Sequence, residues 1–337
     1  MSLRTRSPLA ISLSALVLAS ALLAQRTHPH PSPLVKVADI PLPGPAVRFD
    51  YQSYDAAHHR LYISHMGANR LIVFDTRSRR VLANLPGFSS VHGVLAVPSI
   101  HRVYASVTGE HTLAVVDMTT LKTIATAGPI TYPDGIAYAP AQHRVFVSDE
   151  HGAEDAVINS VINTLVTHIP LGGGAGNTVY DATSGHVLVA VHHLDQLAVI
   201  DPTSLQIIAR YPLPGIADPH GIALDPAAHL AFVAGEANHS LALFDLRTHT
   251  LLSTYSTGDD PDVLAFDPAL QRLYVASESG TVSVFQLRNR ALTLIGTLFM
   301  PHAHSVAVDP HTHDVYFPLQ EIDGRPLLRI MKPADMR

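Results

Sequence analysis

Histidine and aspartate recur at one fixed phase along this 337-residue chain. Asp50, His92, Asp134, Gly176, His220, Asp262 and His304 follow one another at intervals of 42, 42, 42, 44, 42 and 42 residues. A packed interior does not select three imidazoles and three carboxylates at seven equivalent positions, because burying such groups without partners is costly. His92, His220 and His304 fall on repeats two, five and seven, the nearest that seven units come to threefold spacing. Converging from those directions, they form a candidate ligand set for one divalent metal ion, with a fourth position open to water or substrate. Asp50 and Asp262, together with His151, are candidates to orient the ligating rings from behind. Gly176, preceded by Gly172, Gly173 and Gly174, leaves one side of the set uncrowded. The competing reading is structural: His and Asp at the starts of strands can simply bond backbone groups of neighbouring loops.

A second recurring set comprises His65-Met66, Glu110-His111, Asp149-Glu150-His151, His192-His193, Glu236, Glu278 and Glu321. Asp149, Glu150 and His151 stand out, since three successive side chains competent for acid–base or metal chemistry can project to both sides of a tight loop. With Asp134 from the first set, Asp149 and Glu150 are the candidate catalytic acids or bases. A third set, His59, His101, His143, His229 and His313, sits where turns are expected, and histidine tolerates left-handed backbone better than most residues. These five are read as turn fillers. The chain has no G-x-S-x-G nucleophile elbow, no phosphate-binding G-x-x-x-x-G-K-[ST] loop and no H-E-x-x-H helix.

The elements that must position these residues are legible in the same repeat. Asp55, Val97, Ala139, Asp181, Asp225, Asp267 and Asp309 each lie five residues after a member of the first set and end a short apolar stretch. A turn such as Asp225-Pro226-Ala227-Ala228 follows, then a strand of the type Tyr62-Ile63-Ser64 or Tyr274-Val275-Ala276, then one of the type Leu71 to Asp75 or Leu241 to Asp245. A polar turn and a more variable strand complete each unit. Short strands rich in β-branched and aromatic residues, with turn signals every ten or so residues, specify an all-β array. Seven such units with a period near 42 residues specify a seven-bladed β-propeller of four-stranded blades. In a propeller the starts of the innermost strands and the loops after the second strands share one face around a central channel. That places the first two sets together at the channel mouth and the turn histidines on the opposite face.

The seventh unit shows only three strands, His304–Asp309, Asp314–Leu319 and Pro326–Met331. Leu34 to Leu42 is expected to supply the fourth and so close the ring, removing an open sheet edge. Ahead of it, residues 1–24 read as an export signal, with Arg4 and Arg6 before an apolar stretch and small residues at the cleavage site. Residues 25–33 read as a proline-rich linker, and the propeller spans 34–337. The mature chain is expected to be periplasmic or secreted, without a membrane span, and monomeric. There is no cysteine, which excludes disulfides and thiolate metal sites. The formal net charge is −6, and no basic run exceeds Arg79-Arg80, which argues against nucleic acid as a partner.

The strand–turn–strand unit over residues 34–337 resembles the YVTN or YncE-like propeller repeat. It departs from that repeat at the closing asparagine, replaced by His65, Val107, Asp149, Val191, Gly235, Ser277 and Leu319. The His-Gly at His92 and Pro-His-Gly at His220 are laid out as in zinc-dependent amidating lyase propellers and gluconolactonase-like ones. The resemblance implies an exported binding or scaffold protein that receives a small molecule, a glycan or a protein partner at its channel mouth. The alternative is a metal-dependent lyase or hydrolase built on the three histidines. Single-stranded DNA binding, known among YncE-like proteins, would need positive charge and stacking aromatics, and neither is concentrated here.

Overall fold

In the second and third strands of each unit apolar residues run almost without interruption, as in Arg60–His65 (RLYISH) and Arg70–Asp75 (RLIVFD). Such runs fit strands covered on both faces, and the computed structural model, which describes residues 32–336, places them so. Seven four-stranded antiparallel sheets follow one another around a ring. In blade one the order outward is Gln52–Asp55, Arg60–His65, Arg70–Asp75 and Arg80–Pro86. The two central strands are packed between neighbouring blades, with Tyr62, Tyr104, Phe146, Phe232 and Tyr274 fully buried at equivalent places. The outermost strands alternate exposed and half-buried residues, as Gln206–Pro212 does, because only their inner face meets a neighbour.

An aspartate ends the innermost strand in four blades and directly follows it in blade seven, and its carboxylate forms the turn. Asp55 accepts the backbone N–H groups of Ala57 and His58, and Asp225, Asp267 and Asp309 accept equivalent bonds. The turn histidines His59, His101, His143, His229 and His313 follow with φ between 52° and 61°, the left-handed geometry expected of them.

Blade seven joins the first and last strands of the described residues. Leu34–Pro41 pairs antiparallel with Arg325–Pro333, from Leu34 opposite Pro333 to Pro41 opposite Leu327, and forms the outermost strand of that sheet. Asp39 clasps Arg329 across the seam through two bonds of 2.8 Å. The closure expected from Leu34 to Leu42 is therefore the one the fold uses. The expected export signal and most of the expected linker fall outside the described residues. Among the described residues no helix is long and apolar enough to cross a membrane.

Candidate functional site

A local irregularity aims the first set of residues. In blades two to six the innermost strand slips register against the second strand, between Val91 and Val94, Pro133 and Ile136, Ala175 and Thr178, Pro219 and Ile222, and Pro261 and Leu264. His92, Asp134, Gly176, His220 and Asp262 each sit inside that bulge, the device by which a strand turns a side chain out of its regular alternation. The next residue is glycine in three of the five. A Cβ at Gly93 would run into the backbone carbonyl of Asp134, and one at Gly221 into that of Asp262. Successive blades thus touch backbone to backbone around the mouth.

The mouth is a cavity of about 190 Å³ lined by Arg48, Asp50, Tyr51, His92, Tyr132, Asp134, Glu150, His220, Glu236, Asp260, Asp262 and Glu278. The two sets read from the sequence meet here. Asp50, His92, Asp134, His220 and Asp262 come from strand starts, and Glu150, Glu236 and Glu278 from the loops after second strands. Seven carboxylates face one guanidinium, and three of them, Asp50, Asp134 and Asp262, are buried. Burial, then mutual repulsion, pushes the Asp50 carboxyl well above its ordinary range. Asp262 is likewise pushed well up by burial, against the pull of His220. Oδ1 of Asp134, Oδ1 of Asp262 and Nε2 of His304 are buried without a hydrogen-bond partner. Orphaned buried groups of this kind are uncommon in a merely structural network.

His220 is the hub. Its Nδ1 lies 3.1 Å from Nε2 of His192 and its Nε2 lies 3.0 Å from the Tyr51 hydroxyl, which in turn reaches Asp134 Oδ2 at 3.5 Å. Glu236 Oε1 stands 3.5 Å from Nδ1, and Asp262 Oδ1 3.5 Å from Nε2. Burial opposes charge on this ring, but Glu236, Asp262, Asp134 and Glu150 outweigh it and lift its pKa to about 9. Burial and the adjacent His220 drive His192 down to about 4, so His192 is the neutral acceptor of the pair. Glu236 is pushed up to about 7 by burial, with His220 pulling the other way.

His92, His220 and His304 do not gather into one ligand set. His192, His220 and Glu236 offer one ligand atom each, all within 4.8 Å of one another, and Asp262, Glu278 and His304 do the same; His92 belongs to neither trio. Both nitrogens of His92 are engaged, Nδ1 donating to the Ser90 carbonyl at 2.7 Å and Nε2 accepting the Tyr132 hydroxyl at 3.0 Å. His304 is 3 % exposed, and burial, then Arg48, press its pKa down to about 3. Of the other candidates, Glu150 faces the cavity, raised by burial. Asp149 does not line it and accepts the backbone N–H groups of Thr131, Tyr132 and Gly152. His151 packs on Tyr132, ring centroids 4.0 Å apart. Asp149 also groups with Glu154 and His168, but those backbone bonds already occupy its oxygens.

Sequence reasoning missed Arg48, Tyr51, Tyr132 and Asp260. Arg48, Tyr132 and Asp260 each stand two residues before a member of the first set, so reading the repeat at that earlier phase would have found them. Tyr51 had no such signal, since the equivalent position holds glycine in three of the other six blades and no other aromatic residue.

The fold and mouth define a seven-bladed β-propeller with an acidic, histidine-bearing channel mouth. No family model matches the sequence, and no curated protein matches it. Among solved structures the chain is similar to Kuenenia stuttgartiensis hydrazine synthase, with a TM-score of 0.73 and 15% identity over 92% of this chain and 99% of that one. That likeness is one of fold.

Proposed function

We propose that this chain is an exported binding propeller of the YVTN or YncE-like kind, and that its channel mouth takes up a divalent transition-metal ion at His192, His220 and Glu236. One observation carries the reading. Tetrahedral zinc with Zn–N bonds of about 2.05 Å sets its ligand atoms about 3.3 Å apart. His192 Nε2 and His220 Nδ1 are 3.1 Å apart, and His220 Nδ1 and Glu236 Oε1 are 3.5 Å apart. Two imidazoles and a carboxylate suit zinc and its neighbours, and three protein ligands leave a coordination position open. The surrounding carboxylates favour a cation over an anionic ligand.

The test is zinc binding by untagged protein in the presence of a competing chelator. The wild type is expected to hold zinc, His220→Ala and Glu236→Gln to weaken it at least about 100-fold, and His92→Ala to weaken it less than about 10-fold. Undiminished binding in the first two variants, or none in the wild type, overturns the assignment. A catalytic use of the same ion is supported by one feature, Glu150, which lines the same cavity without belonging to the trio and whose carboxyl is raised by burial. Hydrolysis of lactones or esters that depends on added zinc and is lost in Glu150→Gln while zinc binding is retained is the outcome that would favour it.

A further inference from the structure

The two trios share one mouth but differ in their company. Asp262, Glu278 and His304, from blades six and seven, form a ligand set as compact as the first, with every ligand atom within 4.8 Å of the others. His304 Nε2 and Asp262 Oδ1 are buried in it without hydrogen-bond partners, and His304 Nδ1 lies 3.7 Å from Glu278 Oε2. This half also contains Arg48. Its Nη2 lies 2.6 Å from Glu278 Oε1 and its Nε 4.0 Å from Asp50 Oδ2, and it is the one Lys or Arg side chain among the cavity's lining residues.

A guanidinium never gives up its proton, whereas an imidazole does so to bind a metal. The blade six–seven half is therefore permanently supplied with a positive charge that coordinates nothing. The blade four–five half holds only imidazoles.

Resting on the metal reading above, we infer that Arg48 is a tethered cation that closes a second metal site. Asp262, Glu278 and His304 are the ligands of that latent site, and the guanidinium keeps it shut. The mouth takes one ion, at His192, His220 and Glu236, because its other half is already neutralised from within. Arg48 thus sets both the number of ions and which trio receives them.

Zinc stoichiometry under chelator competition, read by native mass spectrometry on the full untagged chain, tests this. The wild type is expected to hold one zinc and Arg48→Met two, with the second lost again when His304→Ala is added to Arg48→Met. Arg48→Gln, which also removes the charge, gives the same count of two and serves if the methionine variant does not fold; circular dichroism and melting establish folding for each. One zinc in the wild type and one in a folded Arg48→Met or Arg48→Gln protein overturns the inference and leaves the metal reading standing. Two in the wild type overturns the inference alone, and none in the wild type overturns both.

Discussion

Replacing Asp155 with asparagine isolates the cost of a charge placed inside a blade. Asp155 lies on Glu154–Asn159, the third strand of blade three, opposite Ser148 and Ile169 in its two neighbours. It is fully buried, and neither carboxylate oxygen has a hydrogen-bond partner. Burial pushes its pKa up to about 7. An unfolded aspartate titrates near 3.9, so between about pH 4 and pH 7 the native state holds a proton that the unfolded state has released. Stability therefore falls as pH rises through that window and is flat above it. A shift of about 3 units at about 1.36 kcal/mol each gives a loss of about 4 kcal/mol, complete above pH 7. Asparagine cannot ionise, so Asp155→Asn escapes the loss. The assay is urea unfolding of both proteins from pH 4 to pH 8. Other titrating groups cancel in the difference, and the stability of the variant minus that of the wild type is expected to climb by about 2–4 kcal/mol across the range. A flat difference, or one that falls with pH, refutes the reasoning.

Two further outcomes follow from the ring's construction. Deleting Leu34–Pro41 bares the edge of Arg325–Pro333 and removes buried Leu34, worth about 2 kcal/mol by itself; with the lost ladder, melting is expected to fall by about 10 °C or more, and a change under about 2 °C would count against closure by this strand. Gly221→Ala forces a Cβ against the Asp262 carbonyl and the Leu264 side chain, so a loss of about 1–3 kcal/mol together with weakened zinc binding is expected, and an unaltered protein on both counts would contradict the close approach of the blades.

The architecture was legible because it is written seven times. The aspartates that form the turns, the left-handed histidines and the continuous apolar central strands each recur at one phase, and repetition separates them from chance. The closing strand was legible by subtraction, since Leu34 to Leu42 fits where blade seven lacks a partner. The site was legible only as far as it follows the repeat. Position in the repeat brought His220, Asp134 and Asp262 to one mouth with Glu236 and Glu278. It could not show that His192, from the loop set, stands 3.1 Å from His220, while His92 turns to Tyr132. Pairings such as Tyr51 with His220, 169 residues apart, depend on how individual side chains lean within the ring, and no periodicity encodes that.

The clasp between Asp39 and Arg329 joins residues 290 positions apart, and this has a consequence for the order of synthesis. The strand made first is the one completed last. While blades one to six can pair as they emerge, Leu34–Pro41 has no partner until the strand Arg325–Pro333 of the seventh blade has been produced. Until then the growing protein carries an unmatched strand at its front and an unfinished sheet at its rear, both open to foreign chains. The interval between the first strand's appearance and its capture is thus the period in which this molecule most needs protection, and its length is set by the number of blades.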